Sequence, residues 1–419
     1  MTESGVVHKY THSPKVIIIT GPRASGKTTV AKQLAEELGY HHVWMDGING
    51  QVRKDLNLET NDMYFFTPKN HERYNKYIGA KIKEERYTNL VIEGDCIRSM
   101  YIYEIILRKL FCYYGQYAII KQFSLAPNQD QHYRQYALRE IQRLRQYYKK
   151  NHGKPKEEHS GDKRVRQYDV NLTPDPPGFE RVDSAEDILA WARQNRDARH
   201  PSLPAEHADL IQCIAESGTY TPFYQTVEVG RRRIIEGIFD SKSSWENLLR
   251  LNPDFRGKSV VDLGAMHGYF SFKIEELGAS EVVGLELNPG SVNAANEIAK
   301  ARGSRCTFQV CNVETDPLPQ SDMYIAMNML HWIKDVDGFL DRLSDATSEI
   351  LMEIGEVQIR DIVQILRPKG FKAVSVQKSH RPDKKIGQRY LFRFADIAAH
   401  KQPLVPVARN ESASAPTSL

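Results

Sequence analysis

The stretch Val16-Ile17-Ile18-Ile19-Thr20-Gly21-Pro22-Arg23-Ala24-Ser25-Gly26-Lys27-Thr28 decides the reading of the first half of this chain. A β-branched apolar run stops at a glycine-rich turn and resumes as a helical pattern with Val30, Leu34 and Leu38 on one face, which predicts strand, tight loop and helix. Gly21 and Gly26 let the backbone curl so that successive N–H groups point at one anion, and the helix behind them adds the positive end of its dipole. Lys27 has the length to reach a β- or γ-phosphate, and the Thr28 hydroxyl suits Mg²⁺. The alternative is a glycine turn that holds nothing. Strand, spacing and the Lys-Thr pair all favour phosphate. They make Gly21, Arg23, Ser25, Gly26, Lys27, Thr28 and Thr29 the candidate ATP site, with Lys27 also catalytic.

Downstream, His42-Val43-Trp44-Met45-Asp46 reads as a second strand ending in a carboxylate, and Arg53 opens a further polar segment. An acid that orients or deprotonates a hydroxyl, followed by a cation that holds the acceptor, is what phosphoryl transfer to a hydroxyl needs. The alternative for Asp46 is a helix cap. Asn89-Leu90-Val91-Ile92-Glu93-Gly94-Asp95 is a third buried strand running into acids. Either Glu93 or Asp95 can hold the water shell of Mg²⁺ beside Thr28; Asp95 is taken as the metal-side acid, and the sequence does not choose firmly. Tyr117 to Phe123 is a fourth strand, and Phe179 to Asp183 followed by a helix from Ser184 to Gln194 closes the unit.

Between them runs a basic segment from Arg134 to Arg166. Arg139 and Arg143 stand at i and i+4, on one helical face, where both can close on a triphosphate as a catalytic lid. A solvated basic helix, or an RNA-facing patch with Tyr133, Tyr136, Tyr147 and Tyr148 interleaved, are the other readings.

At 419 residues the chain is long enough for two or three domains, and 41% apolar residues with mixed charge describe a folded globular protein. A net charge of +4 does not demand a nucleic-acid partner. Five scattered cysteines show neither disulfide-frame nor zinc spacing, and free thiols in a reducing cytosol fit them. With no apolar leader at the N-terminus and no apolar run long enough to cross a bilayer, the expected location is cytoplasmic, without an integral membrane segment.

A polar, proline-marked stretch from Asn195 to Pro204 predicts a boundary. Beyond it, Ser259-Val260-Val261-Asp262-Leu263-Gly264-Ala265-Met266-His267-Gly268 is again strand and glycine turn, and Glu286 ends the next strand about twenty residues on, the spacing that brings a carboxylate to ribose hydroxyls. Strands follow at Cys306 to Val310, Asp322 onward and Ser348 to Ile354. A helix from Val357 to Leu366 and two last strands, Phe371 to Val376 and Arg389 to Phe394, complete the pattern. The expected fold class is α/β, with two doubly wound three-layer domains. The expected bounds are an N-terminal tail 1–14, a first domain 15–195, a linker with an N-terminal flap 196–256, a second domain 257–398 and a disordered tail 399–419.

The run Asp46 to Arg53 resembles the acceptor loop of adenylylsulfate kinases and related small P-loop kinases, the polynucleotide-kinase type included. The second half, with its terminal strand pair, resembles class I S-adenosylmethionine-dependent methyltransferases. That resemblance implies Asp262, Gly264 and Gly268 around the methionine end of S-adenosylmethionine, Glu286 on the ribose, Asn312 and Val313 at the adenine edge, and Asn328 to His331 along the methyl-transfer pocket. His331 is then either a proton-transfer residue or a structural histidine beside Trp332. Ala265-Met266-His267 stands where many members have a second glycine, and Asn312 where an acid is common. Pro222 to Gly230 and Gly237 to Asp240 resemble the entry segment of tRNA wobble-uridine carboxymethyl-transferring enzymes. Asp262 to Phe270 is similar to the methyltransferase half of the kinase–methyltransferases that terminate O-antigen polysaccharides. Together these imply a bifunctional enzyme using ATP, Mg²⁺ and S-adenosylmethionine on a glycan or small-molecule acceptor. The alternatives are an RNA- or nucleotide-modifying enzyme, and a methyltransferase regulated by a nucleotide-binding module.

Overall fold

The strand Lys15–Thr20 (β1) is buried along its whole length, and its side chains alternate between two apolar layers. Val16 and Ile18 face one cluster while Ile17 and Ile19 face another, so a continuous apolar run is what this position in a sheet requires. This is a computed structural model, and it describes residues 13–22, 25–57, 68–85, 88–126, 178–219, 221–380 and 387–396. The chain divides into two compact units, Met1–Phe239 and Asp240–Leu419.

In the first unit β1 leads through Lys27–Leu38 (α1) to His41–Trp44 (β2), Met45–Asp55 (α2), Pro68–Glu84 (α3), Leu90–Glu93 (β3), Met100–Tyr114 (α4), Ile119–Leu125 (β4), Glu180–Val182 (β5) and Ala185–Gln194 (α5). The five strands are parallel, in the order β2-β3-β1-β4-β5. Side chains of α2, α3 and α4, among them Val52, Ile78 and Ile106, cover the Val16/Ile18 face; Val30 and Leu34 of α1 and Ile188 of α5 cover the other. The result is three layers with the glycine loop at the carboxyl end of the central strand. Ser184 caps α5, accepting from Glu186 N–H at 3.0 Å.

Two expectations change here. Asp46 does not end a strand: β2 stops at Trp44, and Asp46 lies in the first turn of α2. Arg53 opens no new segment, because it sits in the last turn of that same helix. The apolar residues Met45, Ile48 and Val52 recur at helical spacing and are the buried face of α2. That period outweighs the short strand-like run before them. The segment expected as linker and flap is also placed differently. Ala208–Ala215 (α6) and the hairpin Val227–Val229 (β6) with Arg232–Ile235 (β7) belong to the first unit, where Tyr117 Oη donates to the Ile234 carbonyl.

The second unit runs Ser241–Leu249 (α7), Ser259–Leu263 (β8), Tyr269–Glu276 (α8), Glu281–Glu286 (β9), Pro289–Arg302 (α9), Thr307–Val310 (β10), Met323–Ala326 (β11), Val336–Ala346 (α10), Glu349–Gly355 (β12), Ile359–Leu366 (α11), Phe371–Lys378 (β13) and Arg389–Asp396 (β14). Its strand order is β10-β9-β8-β11-β12-β14-β13, with β14 antiparallel to both neighbours and the other pairings parallel. Val261, Tyr324 and Met352 face Phe339 of α10 and Ile362 of α11. The alternate position Asp262 faces α8, accepting from Ser271 Oγ at 2.6 Å. This is a Rossmann-like sheet whose strand order reverses between the parallel neighbours β8 and β11, the switch point at whose carboxyl ends such sheets bind ligands.

Among the described residues, no helix is long and apolar enough to cross a membrane. Cys96, Cys112, Cys306 and Cys311 are buried, Cys213 is partly so, and none of the five is in a disulfide.

Candidate active sites

The loop after β1 wraps a buried lysine. Gly21 has φ 145°, and a Cβ there would lie 2.3 Å from the Leu125 carbonyl oxygen, so only glycine lets the loop pass β4 this closely. Gly26 (φ 99°) precedes α1 with no side-chain cap, which leaves the first-turn N–H groups for an anion. Lys27 is buried and donates to the Gly21 and Pro22 carbonyls at 3.0 and 2.8 Å. Burial lowers its pKa, while Asp95, Asp46 and Glu93 oppose that shift. The buried hydroxyls of Thr20 and Ser25 have no hydrogen-bond partner among the described residues. An uncapped helix start, a buried cation and two unmatched hydroxyls fit a polyphosphate. Thr29 is exposed, and Arg23, Arg139 and Arg143 lie outside the described residues.

Glu93, at the carboxyl end of β3, is fully buried. Its Oε1 accepts from Thr28 Oγ1 at 3.1 Å and lies 3.2 Å from His42 Nε2, while Oε2 has no partner among the described residues. Of the two acids the sequence left open, Glu93 therefore touches Thr28. Asp95 sits instead with Asp46: the Asp95 backbone N–H donates to Asp46 Oδ1 at 3.2 Å. Burial pushes the Asp46 carboxyl above the usual range, Lys27 draws it down, and Asp95 and Glu93 push it further up. Asp46 is not the cap of α2, a position held by Trp44. Arg53 lies seven residues further along α2, and its charge is felt by Tyr74, which donates to Asn49 Oδ1 at 2.5 Å. The role of His42 was missed because a histidine inside a strand carries no sequence signal until its neighbour is known. Among the described residues, no group of three or more His, Cys, Asp or Glu side chains is placed to hold a metal ion.

In the second unit the turn from Gly264 to Gly268 folds around Glu286. Gly264 has φ 68° and Met266 φ 53°. Met266 N–H donates to Glu286 Oε2 at 3.1 Å and Asn288 N–H to Oε1 at 3.0 Å, which fixes the carboxylate at the end of β9. Gly268 (φ 83°) starts α8, and a Cβ there would lie 2.4 Å from Phe308 Cζ. Burial raises the Asp262 carboxyl to about 7 against the Ser271 hydrogen bond. Burial pulls the His267 imidazole down to about 4. Asn312 organises the loop after β10: its N–H donates to Asp316 Oδ2 at 2.8 Å and its Oδ1 accepts from Glu314 N–H at 3.1 Å. Val313 packs against the apolar cluster, so its backbone rather than its side chain is at this edge.

Asn328, φ 55°, follows β11, and the next residue, Met329, lies 3.5 Å from where a Gly264 Cβ would stand. Arg389, at the start of β14, donates to Asn328 Oδ1 and lies 3.4 Å from Glu353 Oε2, and Ser379 Oγ donates to Glu353 Oε1 at 2.7 Å. None of these three partners was predicted, since 25 or more residues separate each from the one it meets. His331 lies in an exposed single turn, with its ring centroid 5.0 Å from that of Trp332, which is 74% exposed.

Residues 260–349 match the family described as methyltransferase domain. Over 82 residues the chain is 36% identical to the cytidylate kinase of Ignicoccus hospitalis, covering 19% of this chain and 46% of that protein. Over 91 residues it is 25% identical to the ribosomal protein L11 methyltransferase of Tolumonas auensis, covering 22% of this chain and 31% of that one. The chain thus spans less than half the length of these curated relatives. Among solved structures, the bifunctional kinase-methyltransferase WbdD matches at 21% identity, over 37% of this chain and 38% of that one, with a TM-score of 0.29. The matched residues lie within the Rossmann-like sheet of the second unit.

Proposed function

We propose that the chain is a bifunctional enzyme. In this reading the first unit transfers a phosphoryl group from ATP to an acceptor hydroxyl, and the second methylates that acceptor or its new phosphate. The observation that carries it is the convergence on one loop of Lys27, the Thr28–Glu93 pair and the buried Asp46, in a chain that also holds a methyltransferase domain.

In the first unit Lys27 would leave the loop carbonyls for the β- and γ-phosphates, with the α1 N–H groups beside it. Thr28 would ligate Mg²⁺, and Glu93 would orient its water shell. Asp46 would take the acceptor's proton as its oxygen bonds to the γ-phosphorus, and Arg53 would hold the acceptor. In the second unit Asp262, Gly264 and Gly268 would surround the methionine end of the cofactor, Glu286 the ribose, and Asn312 the adenine edge. S-adenosylmethionine supplies an electrophilic methyl group when bound. A shared chain raises the effective concentration of the phosphorylated product at the second site.

The test is mass spectrometry of extract metabolites incubated with the full chain, ATP and S-adenosylmethionine. One product carrying both a phosphate and a methyl supports the reading, and Lys27→Ala should abolish that product. Phosphoryl and methyl label that never meet in one molecule would refute it.

A second reading, phosphorylation and methylation of a nucleotide or RNA, is favoured by the likeness to a cytidylate kinase. It predicts the doubly modified product among nucleotides, and RNA binding that weakens steeply with salt.

A further inference from the structure

Glu93 is held from two sides. Thr28 Oγ1, in the first turn of α1, donates to Oε1 at 3.1 Å, and His42 Nε2 lies 3.2 Å from the same oxygen. A carboxylate accepts and cannot donate, so the proton of the second contact sits on Nε2. The strand register makes this contact a property of the sheet. His42 is the partner of Val91 in the parallel pairing of β2 with β3, and Glu93 lies two residues beyond Val91, on the same face. Val91 packs with Val30, Ala31 and Leu34 of α1, so that is the face α1 covers. Three elements therefore meet at one carboxylate, which is fully buried, while the His42 side chain keeps 20% of its surface exposed.

The terminal torsion of a glutamate side chain is soft, and a single hydrogen bond would leave the carboxylate free to turn about it. A second donor, brought by a strand separate from α1, removes that freedom. Both donors meet Oε1, and Oε2 is left without a hydrogen-bond partner among the described residues. β2 also runs directly into α2, so the same histidine ties Glu93 to the strand that leads to Asp46.

We infer that His42 is a positioning residue for phosphoryl transfer: it fixes the Glu93 carboxylate in the orientation that accepts from Thr28, and so sets how much the site gains from Mg²⁺. This rests on the kinase reading of the first unit, in which Thr28 and Glu93 serve the cation. In this role His42 acts through Glu93 and moves no proton.

The experiment uses the full chain and the β,γ-imido analogue of ATP, with binding measured by calorimetry in the presence and absence of Mg²⁺. His42→Phe keeps a ring and loses the donor. It should cut the gain in affinity that Mg²⁺ brings by about 10-fold, as loss of a group that orients a metal-side ligand does, and leave the metal-free affinity within about twofold. The Mg²⁺ concentration for half-maximal ATP turnover should rise in step. His42→Gln places an amide N–H near the position of Nε2 and should restore most of the gain. A packing role predicts the reverse order, with phenylalanine the better replacement. In a Glu93→Gln background, His42→Phe should add less than about twofold, since the carboxylate it orients is gone. An undiminished Mg²⁺ gain in His42→Phe overturns the inference, and so does recovery by phenylalanine but not by glutamine. His42→Asn, too short to span the contact, carries the same expectation should His42→Phe not fold. A wild-type chain that binds no ATP analogue, or binds it equally with and without Mg²⁺, refutes the kinase reading itself, a different outcome from a Mg²⁺ gain that His42→Phe leaves unchanged.

Discussion

The Thr28 hydroxyl donates to Oε1 of Glu93 over 3.1 Å, joining the first turn of α1 to the carboxyl end of β3 across 65 residues of sequence. With its proton committed to Glu93, Thr28 Oγ1 turns its lone pairs outward, which is what a cation ligand requires. Glu93→Gln keeps the shape but removes the charge and the reliable acceptor. On the kinase reading proposed above, phosphoryl transfer should fall about 100-fold, with the Mg²⁺ concentration for half-maximal rate raised. A Mg²⁺ titration of ATP turnover checks this. An unchanged midpoint would leave Asp95 as the metal-side acid.

Asp46 is buried, and its carboxyl is pushed above the ordinary range by that burial, with Lys27 opposing. As the base proposed above, Asp46 would work only when ionised, so the rate of phosphoryl transfer should rise with pH through a pKa above that of a free aspartate. Asp46→Asn should lower kcat by about 10² to 10⁴ while leaving the KM for ATP nearly unchanged, since the loss lies on the acceptor side. Stopped-time assays across pH 4 to 8 read both effects. An acid limb that survives in Asp46→Asn would remove Asp46 from the proton transfer.

Both glycine turns and most strands were legible in the sequence because they rest on local rules: a β-branched run, a turn that needs positive φ, a helical period behind it. The two last strands read from the sequence, Phe371 to Val376 and Arg389 to Phe394, are β13 and β14, paired at one end of the second sheet. What stayed hidden depends on long-range pairing. Nothing local ties His42 to Glu93, or Arg389 to Asn328 and Glu353; the first pair meets because β2 and β3 run side by side in parallel, and the second group because antiparallel β14 begins beside the carboxyl end of β12. Asp46 was misplaced for a local reason, as Met45, Ile48 and Val52 carry a helical period that the strand-like His42 to Trp44 obscured.

Gly268 is tested against Gly303. Both have positive φ, 83° and 65°, but a Cβ at Gly303 meets nothing within 4 Å, whereas one at Gly268 would stand 2.4 Å from Phe308 Cζ. Phe308 cannot move away freely, because it is 5% exposed and packs edge-on against Phe272 at 5.5 Å. Gly303→Ala should therefore cost about 1 kcal/mol, the backbone strain alone. Gly268→Ala should cost about 2–4 kcal/mol, with overpacking added to strain, and should weaken S-adenosylhomocysteine binding as well. Denaturant midpoints and calorimetry on the two variants decide it. Equal destabilisation would mean that the turn at Gly268 has room to open.

Asp262 makes the second unit's stability depend on pH in an unusual direction for an acid. Burial raises its folded-state pKa to about 7, above the model-peptide value near 3.8, with the Ser271 hydrogen bond opposing and Glu286 adding to the rise. Between those two values the folded protein keeps the proton and the unfolded chain gives it up, so stability falls as pH rises through that window. Below it both states are protonated and there is no penalty; above it both are ionised and the cost is constant, on the order of 4 kcal/mol. His267 works the other way: its imidazole is pulled down to about 4 by burial, so stability falls as pH drops below the ordinary histidine range. Comparing wild type with Asp262→Asn cancels the His267 contribution, because asparagine does not titrate and its Oδ1 can still accept from Ser271. Measured by chemical denaturation, wild-type stability relative to the variant should decline from pH 4 to pH 7 and stay level above. A difference that is flat across that range would show that Asp262 is ionised in the fold throughout.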